Sequence, residues 1–105
     1  MSNEETTQAR PPGRDPEAFV VTEDIDATNA WELKPLLLQH LYAQGPRLVI
    51  DLRNVQFIDS TGLGMLVSVL REAREQGGGV ELLNANREVG RLLQITGLER
   101  LFENP

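Results

Sequence analysis

The chain lacks several residue types on which folds and active sites commonly depend. It contains no cysteine, which excludes disulfide bridges and thiolate zinc sites, so burial alone must hold the fold together. Its single histidine, His40, has no acid or nucleophile beside it in a helical pattern, which favours a surface role over catalysis. No cofactor or metal signature appears along the chain.

Long apolar runs and an excess of positive charge are also missing. No run approaches the ~20 apolar residues of a membrane helix, and the N-terminus lacks the pattern of a secretory signal. We therefore expect a soluble, cytoplasmic protein without membrane insertion. Ten basic residues against sixteen acidic ones give a formal net charge of −6. This charge opposes the phosphate contacts that dominate nucleic-acid binding, so direct DNA or RNA binding is not expected.

What is present predicts one domain behind a polar tail. Residues 1–17 contain Pro11, Pro12 and Pro16 and show no apolar periodicity, which is typical of a disordered segment. Residues 18–105 form the expected domain. A chain of 105 residues with 40% hydrophobic residues can bury one core.

Strand and helix patterns alternate through this domain, which predicts an α/β fold whose mixed, mostly parallel sheet of about four strands is covered by helices. The expected strands are Phe19–Val21, a central Leu48–Ile50, a short Val55–Ile58 and Val80–Leu83. The expected helices are one capped by Thr28 or Asn29, one at about Thr61–Gln76 stopped by Gly77–Gly79, and one containing Val89–Thr96 and closed by Gly97.

The first helix has one face of Ala30, Leu33, Leu37 and Leu41, and Gly45–Pro46 ends it. Pro35 cannot donate a backbone N–H, so either the helix bends there or it properly begins there. The sequence leaves both alternatives open. Trp31 on the same segment is interpreted as a packing residue.

The segment from Phe57 to Gly64 is the most informative, because an apolar strand-like run gives way to two hydroxyls, a glycine and an apolar helix. Ser60 falls at or near the helix N-terminus, where unpaired N–H groups and the helix dipole favour a negative group. A phosphorylated Ser60 fits this position, and Thr61 is a weaker acceptor. The structural alternative is that Ser60 only caps the helix.

Two glycines within the first turn should weaken this helix, so something is expected to approach closely at Gly62 and Gly64. Two explanations for these glycines remain open: the helix packs tightly on the sheet, or a partner protein lies over the bare backbone. Leu63 and Met65 lie two residues apart and are not expected to point inward together. One of them is therefore expected to be an exposed apolar contact.

Asp59-Ser60-Thr61-Gly62-Leu63-Gly64 resembles the signature of the anti-sigma factor antagonist (anti-anti-sigma) family of STAS domains. The resemblance extends to Glu23–Asp26, to Gly77–Gly78 and to Arg91–Leu98, and covers roughly residues 19–102. It implies a bacterial phosphoprotein that regulates transcription by partner switching in a stress response. The unphosphorylated form would bind an anti-sigma factor serine/threonine kinase and release a sigma factor. A serine/threonine phosphatase would reset it.

By this resemblance Ser60 is the acceptor, and Asp26 and Asp59 flank it and help the kinase to engage. The partner-binding set comprises these two aspartates and the run Ser60, Thr61, Gly62, Leu63, Gly64 and Met65. Phosphoryl transfer also needs a nucleotide and its metal, and the chain has no loop to hold them. It is therefore expected to be a substrate and not an enzyme.

The chain departs from the family at its edges, and this leaves alternatives. Only one convincing strand precedes the first helix, so the N-terminal edge strand is absent or degenerate, and an exposed edge invites self-association. Glu23 stands where the family has a glycine. The alternative function is a non-switching STAS adaptor or scaffold in a stress-signalling or lipid-transport assembly. An enzyme acting through Asp59 and Ser60 is the least favoured interpretation.

Overall fold

Helices and strands alternate through residues 17–102, the part of the chain that the computed structural model describes. The elements in chain order are β1 (Phe19–Val20), α1 (Ala30–Gln44), β2 (Arg47–Asp51), α2 (Ser60–Glu75), β3 (Gly79–Leu83), α3 (Arg87–Thr96) and a 3-10 turn (Leu98–Arg100). The α/β fold class is thus confirmed. The predicted tail lies, except for Glu17, outside the described residues.

Within the described part of the chain, the strands form a parallel sheet in the order β1-β2-β3. Ile50 of β2 is paired with Phe19 on one side and Leu82 on the other. The predicted central strand is therefore central, and its residues 48–51 are all buried. Both crossovers run through a helix, as parallel strands require.

The short strand expected at Val55–Ile58 is reduced to one bridge, between Ile58 and Ile25. The reason lies in the hydrogen bonds of the preceding residues. The backbone N–H groups of Gln56 and Phe57 donate to Asp24 Oδ1 at 2.7 and 3.1 Å. These N–H groups are consequently engaged by a side chain and do not join a strand ladder.

Helix α1 begins at Ala30 and continues through Pro35, which decides against a helix that begins at the proline. Ala30, Leu37 and Leu41 are buried, and Leu33 packs against the core. Asn29 occupies the N-cap position, but its side chain does not cap the helix. Its Oδ1 instead accepts the N–H of Asp26.

Helices α2 and α3 end where the sequence indicates. Helix α2 stops at Glu75, directly before Gln76 and the glycine run. Gly97 closes α3 with φ +76°, a left-handed conformation that glycine adopts without strain. Helix α2 packs against both α1 and β3, which places its first turn beside the loop that leads into α1. None of the helices in residues 17–102 is long and apolar enough to span a membrane.

Candidate functional site

The candidate site is assembled where the loop before α2 meets the loop before α1. The N–H of Ile25 donates to the Phe57 carbonyl at 3.2 Å, and the N–H of Asp59 donates to the Ile25 carbonyl at 3.1 Å. Ile25 and Ile58 are both fully buried. Residues that lie far apart in sequence are therefore fixed against each other directly beneath the first turn of α2.

Asp59 caps helix α2. Its backbone is extended, and its Oδ1 accepts the N–H of Gly62 at 2.8 Å while its carbonyl accepts the N–H of Leu63. Its Oδ2 accepts the N–H of Ala27 at 3.2 Å. One carboxylate thus satisfies a helix N-terminus and anchors the neighbouring loop, a role consistent with the preference for aspartate at this position.

Ser60 is the first residue of α2 and is exposed. Its hydroxyl makes no hydrogen bond to any residue that the structure describes. The alternative that Ser60 serves as the helix cap is therefore wrong, because Asp59 already fills that position. The Ser60 hydroxyl is free for chemistry at the end of a helix that stabilises negative charge.

Asp26 lies in the loop that Asp59 anchors. Its Oδ1 accepts hydrogen bonds from both the hydroxyl and the N–H of Thr28. The side-chain hydrogen bond from Thr28 is the main cause that lowers the pKa of Asp26, and the backbone N–H of Thr28 adds to it. Asp26 is consequently ionised at neutral pH, and a second carboxylate is held in the loop next to the Ser60 turn.

Gly62 and Gly64 have different surroundings. A Cβ on Gly62 would lie 2.7 Å from the Ile25 carbonyl oxygen and 2.9 Å from Cγ2 of Ile58. A Cβ on Gly64 would meet nothing within 4 Å. Tight packing therefore accounts for Gly62, whereas Gly64 presents bare, exposed backbone to its surroundings.

Leu63 and Met65 are both buried, each with 7% of its surface exposed. The expectation that one of them is exposed is wrong, because α2 packs on the sheet and on α1 and so buries two directions of its surface. Met65 also lines a groove together with Ala30, Trp31 and Lys34 of α1. Leu63 therefore offers little surface to a partner, whereas the small exposed part of Met65 belongs to the groove.

An apolar groove, here called the α1–α2 groove, adjoins the site. It has a volume of about 250 Å³. Trp31 on its wall is 72% exposed, so the interpretation of this residue as packing is wrong. The residues that line the groove are Ala30, Trp31, Lys34, Thr61, Gly64, Met65 and Ser68.

Sequence reasoning missed two positioning residues. Asp24 holds the loop before α2 through the N–H groups of Gln56 and Phe57. Asn86 caps α3 and donates to the carbonyls of Val55 and Gln56 at 3.4 and 3.2 Å. In the sequence, Asp24 is an acidic residue in a turn and Asn86 is an asparagine before a helix. Neither pattern indicates which distant backbone groups the side chain will bind.

No group of three or more acidic or histidine residues that could hold a metal ion occurs within residues 17–102. His40 lies on α1, where its Nε2 contacts the Glu17 carbonyl at 2.7 Å and its ring packs edge-on against Phe19. The site at Ser60 thus combines the exposed Ser60 hydroxyl, the N-terminus of α2 and the carboxylates of Asp59 and Asp26.

Comparisons with known proteins identify chains of similar sequence and fold. A family model described as STAS domain matches residues 14–105. The chain is 36% identical over 83 residues to a Bacillus subtilis protein named anti-sigma-B factor antagonist, covering 79% of this chain and 75% of that protein. It is 35% identical over 83 residues to the protein of that name from Listeria monocytogenes, covering 79% and 73%. A candidate anti-sigma factor antagonist from Thermotoga maritima superposes with a TM-score of 0.73 at 26% identity, over 83% of this chain and 77% of that structure.

Proposed function

Because the chain belongs to the STAS domain family, we propose that it is an anti-sigma factor antagonist controlled by phosphorylation of Ser60. The unphosphorylated form binds an anti-sigma factor kinase and thereby releases a sigma factor. The phosphorylated form no longer binds. The observation that carries the switch is the exposed Ser60 hydroxyl, which makes no hydrogen bond in the described structure because Asp59 caps the helix.

The chemistry at Ser60 is that of a substrate. The Ser60 oxygen attacks the γ-phosphorus of ATP, the bond between that phosphorus and the β–γ bridging oxygen breaks, and ADP leaves. The hydroxyl proton passes to a base on the kinase. The kinase also supplies the nucleotide site and the metal ion. Asp59 is a poor candidate for the base, since both its carboxylate oxygens already accept backbone hydrogen bonds.

The added phosphate acts on binding more than on folding. It brings roughly −1.5 to −2 charges to the surface beside Asp59 and Asp26. The N-terminus of α2 stabilises a negative group locally by about 0.3–1 kcal/mol, so the fold tolerates it. A partner surface that fits the neutral Ser60 hydroxyl does not accommodate this added negative charge, so the partner binds the phosphorylated form more weakly. A coupling of about 1–3 kcal/mol, or 5–150-fold in affinity, is the usual scale of such regulation.

The contact surface centres on the exposed part of the motif. Ser60, Thr61 and Gly64 are exposed, whereas Gly62 and Leu63 are buried. The buried pair supports the backbone from inside, and Asp26 and Asp59 shape the adjoining loop. A serine/threonine phosphatase returns the modified protein to its binding form, and the cytoplasm is the compartment in which these partners meet.

The test uses each anti-sigma factor kinase encoded by the source organism, purified and mixed with this chain. Affinity is measured without nucleotide, and phosphate is then mapped by intact-mass and peptide mass spectrometry after addition of Mg-ATP. We expect one kinase to bind the unmodified chain and to place a single phosphate on Ser60. Ser60→Ala should bind but accept no phosphate, and Thr61→Ala should still be modified. Binding by no kinase, or phosphate only at another position, would refute the proposal and favour a non-switching adaptor.

A further inference from the structure

The α1–α2 groove has the properties of a surface that receives a partner side chain. It is lined by Trp31, which is 72% exposed, and by Met65, which is largely buried. Tryptophan is enriched at the energetic centres of protein interfaces, where one large side chain contributes much contact area. Gly64 lets a partner approach the helix closely, since nothing lies within 4 Å of where its Cβ would be.

The groove is continuous with the phosphoacceptor. Gly64 lies four residues after Ser60, so both are on one face of α2, one turn apart. Thr61 follows Ser60 directly and is itself part of the groove. A protein that reaches the Ser60 hydroxyl along this face therefore lies over the opening of the groove.

The charge at the rim indicates the chemistry of the occupant. Lys34 belongs to the groove and forms no ion pair with any described residue, in a chain of net charge −6. A second apolar groove, near Phe57 and Ile95, is bordered by both Glu88 and Arg91. Because the second groove is bordered by one negative and one positive side chain, it indicates no particular charge on a partner. The positive charge of Lys34 favours a carboxylate on the partner.

We propose that the α1–α2 groove receives an apolar side chain of the anti-sigma factor kinase, with Lys34 facing a carboxylate of that kinase. This inference rests on the proposed function and extends its contact surface from the Ser60 turn onto α1. A phosphate on Ser60 then acts at the edge of the interface, one helical turn from its apolar centre.

The first experiment fills the groove. Gly64→Leu places a side chain where the partner's side chain would lie, and Gly90→Leu on α3 is the matched control. Both glycines lie within helices, and a Cβ added to either one would meet no neighbouring side chain or segment within 4 Å. Both variants should therefore fold. We expect Gly64→Leu to weaken binding of the kinase about tenfold or more, the range of an interface centre. Gly90→Leu should bind as the wild type does.

The second experiment uses the fact that Trp31 is the only tryptophan. The chain labelled with 5-fluorotryptophan gives a single fluorine resonance, and an unlabelled kinase adds none. We expect this resonance to shift when the purified kinase binds. Lys34→Glu should weaken binding of the kinase. The difference in affinity between this variant and the wild type should become smaller as the salt concentration rises, because salt screens the charge repulsion.

The outcomes separate the two proposals. Wild-type binding and Ser60 phosphorylation, together with unchanged affinity of Gly64→Leu and an unmoved Trp31 resonance, would overturn the groove inference and leave the proposed function intact. Failure of the wild-type chain to bind or to be phosphorylated would overturn both. Equal loss of binding in Gly64→Leu and Gly90→Leu would also contradict a site confined to the groove.

Discussion

The carboxylate of Asp59 accepts the backbone N–H of Ala27, 32 positions earlier in the chain, at 3.2 Å. The same carboxylate accepts the N–H of Gly62 at 2.8 Å and so caps α2. This arrangement joins the loop before α1 to the first turn of α2. Because Asp59 is the cap, Ser60 has no capping role, and the hydroxyl that the proposed switch uses is not needed for stability.

Replacement of Asp59 should therefore cost stability where replacement of Ser60 does not. We expect Asp59→Ala to lower the free energy of unfolding by about 1–2 kcal/mol, the cost of a lost cap and a lost loop anchor. Asp59→Asn should cost less, because its amide oxygen still accepts from Gly62 while its NH₂ group faces the Ala27 donor. Urea unfolding followed by circular dichroism measures these differences.

Ser60→Ala is the matched control for that series, and its free energy of unfolding should lie within about 0.5 kcal/mol of the wild type. A loss as large as that of Asp59→Ala would mean that Ser60 is the cap after all. Such a result would remove the observation on which the switch is proposed.

The two glycines of the motif should respond to alanine in opposite directions. Gly62→Ala drives a Cβ against the Ile25 carbonyl, a backbone atom that cannot turn aside, so we expect a loss of about 1–3 kcal/mol. Gly64→Ala fills open space and should stabilise the helix by about 0.5–1 kcal/mol. Thermal unfolding of the two variants side by side checks this. A stabilised Gly62→Ala would show that α2 does not pack on Ile25 as closely as described.

The order of helices and strands could be predicted from the sequence because it depends on local signals. The continuous apolar run at Leu48–Ile50 marked the central strand, and Gly97 marked the end of α3 through its left-handed conformation. Ser60 could be placed at a helix N-terminus for the same reason. The cap was assigned less well, since Asp59 and Ser60 are both good capping residues and one position of register decides between them.

What failed depended on tertiary neighbours. The burial of both Leu63 and Met65 follows from packing of α2 on two elements, which periodicity along one helix does not reveal. Trp31 is exposed because its side of α1 borders a groove and not the core. The strand expected at Val55–Ile58 does not form because the Asp24 carboxylate, 32 and 33 positions earlier in the chain, accepts the N–H groups of Gln56 and Phe57.

Acid should weaken the fold partly through Asp51, a residue that is 1% exposed at the end of the central strand. Arg53 is hydrogen-bonded to it and is the main cause that lowers the pKa of Asp51 from 3.8 to about 2, and Asn84 contributes a further hydrogen bond. Because the folded pKa lies below the unfolded one, the stabilisation is present above about pH 4 and is lost as the pH falls towards 2. It amounts to at most about 2 kcal/mol, since the Arg53 side chain is largely exposed and screened.

Urea unfolding at a series of pH values between neutral and acid measures this effect, with Asp51→Asn as the reference. Asparagine has nearly the same size but does not titrate. We expect the stability of the wild type to fall more steeply below pH 4 than that of Asp51→Asn. Parallel curves for the two proteins would show that Asp51 contributes nothing to the acid sensitivity.

The alignment of α1 on α2 can be tested through Tyr42, the only tyrosine of the chain. Its hydroxyl donates to the Glu72 carboxylate across the two helices that frame the α1–α2 groove. This hydrogen bond is the main cause that raises the pKa of Tyr42 above 10.0, and the charges of Glu72 and Glu75 add to it. Ultraviolet titration of the single phenol should therefore give a midpoint above 10.0, and Glu72→Gln should lower it. Glu75→Gln should lower it less, because Glu75 acts only through its charge. If Glu72→Gln leaves the midpoint unchanged, the two helices do not hold the described alignment in solution, and the width of the groove between them is not fixed by this contact.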